Sequence, residues 1–188
     1  MKRTLYRTHE LAELGYSRWE IPNIIKQGKI EKVSRGLYRR ADAEITENYS
    51  LAAVVKIFPR GILCLLTALR YHGIGTQDPP HVWVAVPIKT KPPKIIGLPV
   101  KMVTFSGASL TSGVIHVKID GIPAHITNPA RTVIDCFRYR NKIGIDVALE
   151  ALREGLRQKK ISREDLRNYA QRLRAWNVIQ PYIEAYSA

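Results

Sequence analysis

Gly15, Gly28 and Gly36 cut residues 8–40, THELAELGYSRWEIPNIIKQGKIEKVSRGLYRR, into pieces that read as two short helices and a tight β-hairpin. Glycine takes the left-handed conformation that ends a helix without a Cβ clash. Thr8 is a helix-capping residue, and Leu11 and Leu14 lie one turn apart on an apolar face. Ser17, with Glu20 three residues on, has the spacing of a capping box for a second helix, which turns Ile21, Ile24 and Ile25 inward and stops at Gly28. Pro22 removes one helical hydrogen bond, so a slight bend is expected there. Ile30 and Val33 then face inward from a strand, Ser34-Arg35-Gly36 makes the turn, and Leu37-Tyr38 returns. Two short helices meeting at a glycine, followed by a small basic hairpin, form the pattern of a winged helix-turn-helix.

Arg18, Trp19, Asn23 and Lys26 fall on the outer face of the second helix, and Lys29, Lys32, Arg35 and Arg39 on the hairpin and its approach. Arginine and lysine meet phosphates or guanine edges, and asparagine pairs with adenine in the major groove. These eight residues are the candidate DNA contacts. Trp19 has a second reading of equal weight, as packing between helix and wing. A winged helix ordinarily carries one more helix ahead of this pair, and only seven residues precede Thr8. Either Met1 to Tyr6 makes a stub, or another part of the chain or a second copy supplies that layer. The plain alternative for the whole stretch is a helical hairpin with a solvated basic face.

Charge points the same way. The 188 residues carry a formal net charge of +14, and residues 1–40 hold ten Lys and Arg against four Glu. Such an excess favours a polyanionic partner, with an affinity that falls steeply with salt. An acidic protein is the competing partner. A hydrophobic share of 45% is enough for a packed core. Cys64 and Cys136 sit in apolar segments without metal-ligand spacing, which reads as buried free thiols in a reducing cytoplasm. The five histidines are scattered, so neither a metal nor another cofactor is expected. Neither a signal segment nor an apolar run of transmembrane length is visible, so a cytoplasmic chain without membrane contact is expected.

Beyond residue 41 the pattern changes. Thr46 is placed to cap a helix through Phe58, which Pro59 and Gly61 break. A second apolar helix is expected over residues 62–72, paired antiparallel with the first. Strand signals follow over residues 81–86, 99–105, 114–119 and 122–126, with a proline-containing basic loop holding Lys89, Lys91 and Lys94 after the first. Asp120-Gly121 is a two-residue hairpin signal. Thr127-Asn128-Pro129 opens a helix on which Arg131 and Asp135 stand four apart, and further helices are expected over residues 145–156, after Ser162, and over residues 178–186. The fold class is therefore α+β. An N-terminal winged helix-turn-helix (residues 1–41) precedes a domain (residues 42–188) with a mainly antiparallel sheet of about four strands flanked by helices.

Three motifs in this order carry a resemblance: Arg35-Gly36-Leu37-Tyr38, then Leu65-Leu66-Thr67-Ala68-Leu69 with His72-Gly73, then Thr127-Asn128-Pro129-Ala130-Arg131-Thr132-Val133-Ile134-Asp135. Together they resemble the AbiE-type antitoxins, the transcriptional-regulator halves of abortive-infection toxin–antitoxin pairs. The resemblance implies an N-terminal winged helix that binds double-stranded operator DNA and represses its own operon. It also implies an α+β antitoxin domain that counteracts a nucleotidyltransferase-like toxin. Carried onto this chain, the recognition-helix role falls on Arg18, Trp19, Asn23 and Lys26, and the wing role on Lys32, Arg35 and Arg39. The Arg131–Asp135 segment reads as a helix start stapled by an ion pair.

Two other function classes are open to a basic chain of this kind. A protein-interaction module would use the larger domain against a toxin and keep residues 1–41 as a vestige. A nuclease would need an acidic residue two positions before a lysine on a strand, and no Asp or Glu has Lys at that offset. GxxxxGK[ST] and GxSxG are likewise absent, so the expectation is a protein without catalytic activity.

Overall fold

The computed structural model describes residues 3–91 and 97–186. Lys94, expected in the basic loop, lies outside the described residues. The chain is α+β and holds two sheets. The first is built around strand β1 (Leu5–Arg7), helices α1 (Thr8–Glu13) and α2 (Ile21–Lys26), and the hairpin β2 (Ile30–Ser34) and β3 (Leu37–Arg40). Its order is β1-β3-β2, antiparallel throughout. The seven leading residues thus contain a strand rather than a helical stub. Thr8 is the first helical residue and not the cap. Its N–H donates to the Gly36 carbonyl at 3.2 Å, which fastens the hairpin turn to α1.

The second sheet has five strands: β4 (Ile62–Leu63), β5 (Val82–Pro87), β6 (Val100–Phe105), β7 (Val114–Ile119) and β8 (Ile122–Thr127), in the order β6-β5-β4-β8-β7. Most pairings over both sheets are antiparallel, but within this one β4 pairs parallel with β8, and β5 parallel with β6. The expectation of four strands, mainly antiparallel, is corrected by β4. Two residues are too few to show a period, and Ile62 and Leu63 read as the start of a helix. That helix, α4, instead runs over Leu65–His72 and ends at Gly73 in the left-handed conformation. The β7–β8 hairpin is as expected, with Asp120 and Gly121 both at positive φ as a primed two-residue turn requires.

Helix α3 (Tyr49–Ile57) is shorter than expected, because Thr46 does not cap it. The Thr46 hydroxyl instead donates to Asp120 Oδ2 at 2.5 Å, across to the tip of the β7–β8 hairpin. Nor do α3 and α4 form a helical hairpin, since β4 intervenes. Successive residues of β5 point to opposite faces of the sheet. Val82, Val84 and Val86 share a core with α3, while Trp83 and Ala85 share one with α5 (Pro129–Arg138), α7 (Ile145–Arg157), α8 (Arg163–Arg172) and α9 (Trp176–Ala185). A single turn, α6 (Arg140–Ile143), links α5 to α7. Val82 to Val86 are all buried, so β5 is covered on both faces.

Leu5 and Leu37 belong to the α3-side core, so the first forty residues and the larger sheet are joined through shared apolar packing. Cys64 and Cys136 are buried free thiols, and burial pushes both upward in pKa, away from the reactive thiolate.

The Asn128 side chain caps α5, accepting from the Arg131 N–H at 2.9 Å. Arg131 and Asp135 are both fully buried and pair at 2.9 Å. The rest of the Arg131 guanidinium donates to the carbonyls of Ser109 and Ser112, and Arg138 donates to the second Asp135 oxygen at 3.0 Å. Burial acts to raise the Asp135 carboxyl, and the two arginines oppose it. Removing one member of a buried pair strands the other, at a cost of about 3–5 kcal/mol. Asp135→Ala is expected to lower unfolding stability by that amount in urea titration. An Arg131→Met, Asp135→Leu double variant should lose less than either single change.

Candidate nucleic-acid interface

Gly15, at φ +89°, ends α1 and turns the chain toward α2. The Ser17 N–H donates to Glu20 Oε2 at 2.7 Å, which is the reciprocal half of the expected capping box. The Ser17 hydroxyl and, to a lesser degree, this N–H hold the Glu20 carboxyl below its ordinary pKa. Residues 18–20 form a turn, and α2 proper begins at Ile21. Pro22 therefore falls at the second helical position, where the N–H has no helical partner to lose. The bend expected at Pro22 is not required. Ile21 and Ile24 are buried against Leu11 and Ile30. Gly28, at φ +69°, ends α2.

This packing leaves Arg18, Trp19, Asn23 and Lys26 exposed on the outer face. A groove of about 560 Å³ runs between α2 and the hairpin, with Arg18 and Pro22 on one wall and Lys32, Arg35 and Tyr38 on the other. Thr8, Ile21 and Gly36 complete it, and a Cβ on Gly36 would come within 3.2 Å of Thr8 Oγ1. The structure thus brings Arg18, Lys32 and Arg35 together. Among the described residues, no carboxylate lies within ion-pair distance of Arg18, Lys26, Lys32 or Arg35. Three of the four glutamates in this unit are already engaged: Glu10 by Arg3 and Lys56, Glu20 by Ser17, and Glu31 by Arg39.

Two expected contacts stand elsewhere. Lys29 lines a different groove, beside Tyr6, Leu14 and Ile24. Arg39 is a strut and not a free wing cation. It bonds Glu31 directly across the hairpin at 2.5 Å, lies 5.7 Å above the Tyr49 ring of α3, and has a side chain only 17% exposed. The Glu31–Arg39 pairing follows from the hairpin register, so the cross-strand rule was the signal that could have found it. Trp19 is 89% exposed, which removes the reading of it as packing between helix and wing. Thr8 and Tyr38 were missed as groove residues, because their approach depends on how α1 meets the hairpin turn.

Glu10 positions the whole unit. It accepts from the Arg7 N–H at 2.6 Å and from Arg3 Nη1 at 3.0 Å, and it pairs with Lys56 of α3. Burial works to raise its pKa. The bonds from Lys56 and Arg7 and the charges of Lys56 and Arg3 outweigh this and hold the carboxyl below its ordinary value.

No family profile matches this chain, and no curated protein matches it. Among solved structures it is similar to the RV2827C protein from Mycobacterium tuberculosis, with a TM-score of 0.58 at 12% identity. The likeness covers 90% of this chain and 67% of that one. At that identity the similarity is one of fold. No group of three or more His, Cys, Asp or Glu among the described residues is placed to hold a metal ion. No described helix is long and apolar enough to cross a membrane.

A carboxylate with a depressed folded-state pKa contributes stability that is present above its unfolded value and lost as pH falls through the folded one. The parent is expected to lose stability as pH drops below the ordinary glutamate pKa of about 4.3. Glu10→Gln should be less stable at neutral pH and should show a shallower acid limb in urea titrations. An unchanged acid limb in the variant would remove Glu10 as the clamp.

Proposed function

We propose that this chain binds duplex operator DNA through α2 and the β2–β3 hairpin. In this reading it represses its own operon and serves as the antitoxin half of an abortive-infection pair in the cytoplasm. The observation that carries the DNA-binding half is the groove in which Arg18, Lys32 and Arg35 converge without carboxylate partners. Such a cluster attracts phosphates by counterion release, and an exposed asparagine on the adjoining helix face can read adenine. The β1-β3-β2 sheet packed with α1 and α2 supports reading this unit as a winged helix-turn-helix. Helix α3, packed behind β1, supplies the backing layer that a leading helix would otherwise provide.

The antitoxin half rests on the ordered motifs. Arg35-Gly36-Leu37-Tyr38 forms the hairpin turn and return strand, Leu65 to Leu69 lies in α4, and Thr127 to Asp135 caps and begins α5. The partner in this reading is a nucleotidyltransferase-like toxin met by the larger α+β part of the chain. A chain of this kind would restore growth to cells expressing such a toxin encoded beside it.

Gel shifts on the promoter of its own operon test the DNA-binding half. Arg18→Ala and Arg35→Ala are each expected to weaken binding and to reduce the slope of log affinity against log salt by about 0.9, the loss of one phosphate contact. Asn23→Ala should instead relax base preference by about 1–3 kcal/mol at one position. Equal affinity for unrelated duplexes would overturn operator recognition.

A further inference from the structure

Trp19 is the most exposed large apolar side chain among the described residues. The chain's other two tryptophans are sheltered: Trp83 is buried beneath Lys101, and Trp176 packs against the core under Arg167. Leaving an indole in water forgoes a large apolar contribution to stability, which makes its position informative. Trp19 lies in the turn just ahead of α2, and Asn23 and Lys26 are exposed on that helix while Ile21 and Ile24 are buried. Arg18 beside it lines the basic groove with Lys32 and Arg35.

The arginines and lysines already supply phosphate attraction. An indole adds one N–H donor and a broad apolar face. The apolar feature that B-DNA presents in its major groove is the C5 methyl of thymine. Arg18, next to Trp19 in the chain, and Lys32 and Arg35 across the groove from Arg18 have no carboxylate partners among the described residues, so this surface suits a polyanion rather than the apolar rim of a protein docking site.

We propose that Trp19 is a specificity-determining residue that reads thymine by packing its indole against the C5 methyl group. This inference rests on the DNA-binding reading above and names what that surface selects. Trp19 contributes little to phosphate attraction and much to the choice of sequence. Because its side chain touches so little of the protein, Trp19→Ala should fold as the parent does.

The test uses the full chain and the promoter duplex with thymines replaced, a few at a time, by deoxyuridine, which lacks only the methyl group. Replacement at the contacted positions should weaken the parent about fourfold per methyl, the worth of one buried carbon. Trp19→Ala should bind the unmodified promoter more weakly, show no further loss with deoxyuridine, and keep the parent's salt slope. Equal sensitivity of parent and variant to deoxyuridine, or indifference of the parent to it, would overturn the role of Trp19 while leaving DNA binding intact. Failure of the parent to prefer the promoter over unrelated duplexes would overturn both.

Discussion

The larger part of this structure is assembled around a guanidinium that has no access to water. Arg131 lies at the start of α5, 5.0 Å from the Phe105 ring at the end of β6, and bonds Asp135 on its own helix together with two carbonyls of the β6–β7 connection. A cation this deep is tolerable only with its donors satisfied. The bonds therefore dictate where the connection can run. Gly113 answers the same constraint: a Cβ there would come within 2.7 Å of Arg131 Cβ. The connection, the helix start and the sheet end are held in one arrangement because only that arrangement satisfies the charge.

From this centre the fold extends through β5 and β4, which are buried on both faces. One face receives the C-terminal helices. The other receives α3, and α3 in turn receives β1 and the hairpin through Leu5, Leu37 and the Glu10–Lys56 pair. The basic groove is thus mounted on the main sheet and not tethered by a free linker. Whatever is held between α2 and the hairpin would therefore be oriented with respect to the main sheet.

Much of the candidate site was legible because its determinants are local. The glycines at 15, 28 and 36 set where elements end, and all three have positive φ. The isoleucine spacing decided which face of α2 is buried and so which residues remain outside. Features whose partner comes from elsewhere in the chain were not legible in this way. Arg39 read as a wing cation until Glu31 and Tyr49 were placed around it. Thr46 read as a cap until Asp120 came within reach. Ile62 and Leu63 read as helical because a two-residue strand has no period, and only β5 and β8 on either side make it one.

The sequence by itself determined the order and kind of most elements, the α+β class, the turn at Asp120-Gly121, the cap at Asn128 and the outward set Arg18, Trp19, Asn23 and Lys26. Backbone freedom, capping and periodicity act within a few residues, so they can be read in one dimension. Only the tertiary structure decided that β1 completes the small sheet, that the large sheet is mixed, that Arg18 meets Lys32 and Arg35, and that Arg39 and Lys29 do not join them. Those outcomes depend on strand pairing and burial between residues far apart in the chain, where many pairings are locally acceptable and packing selects one.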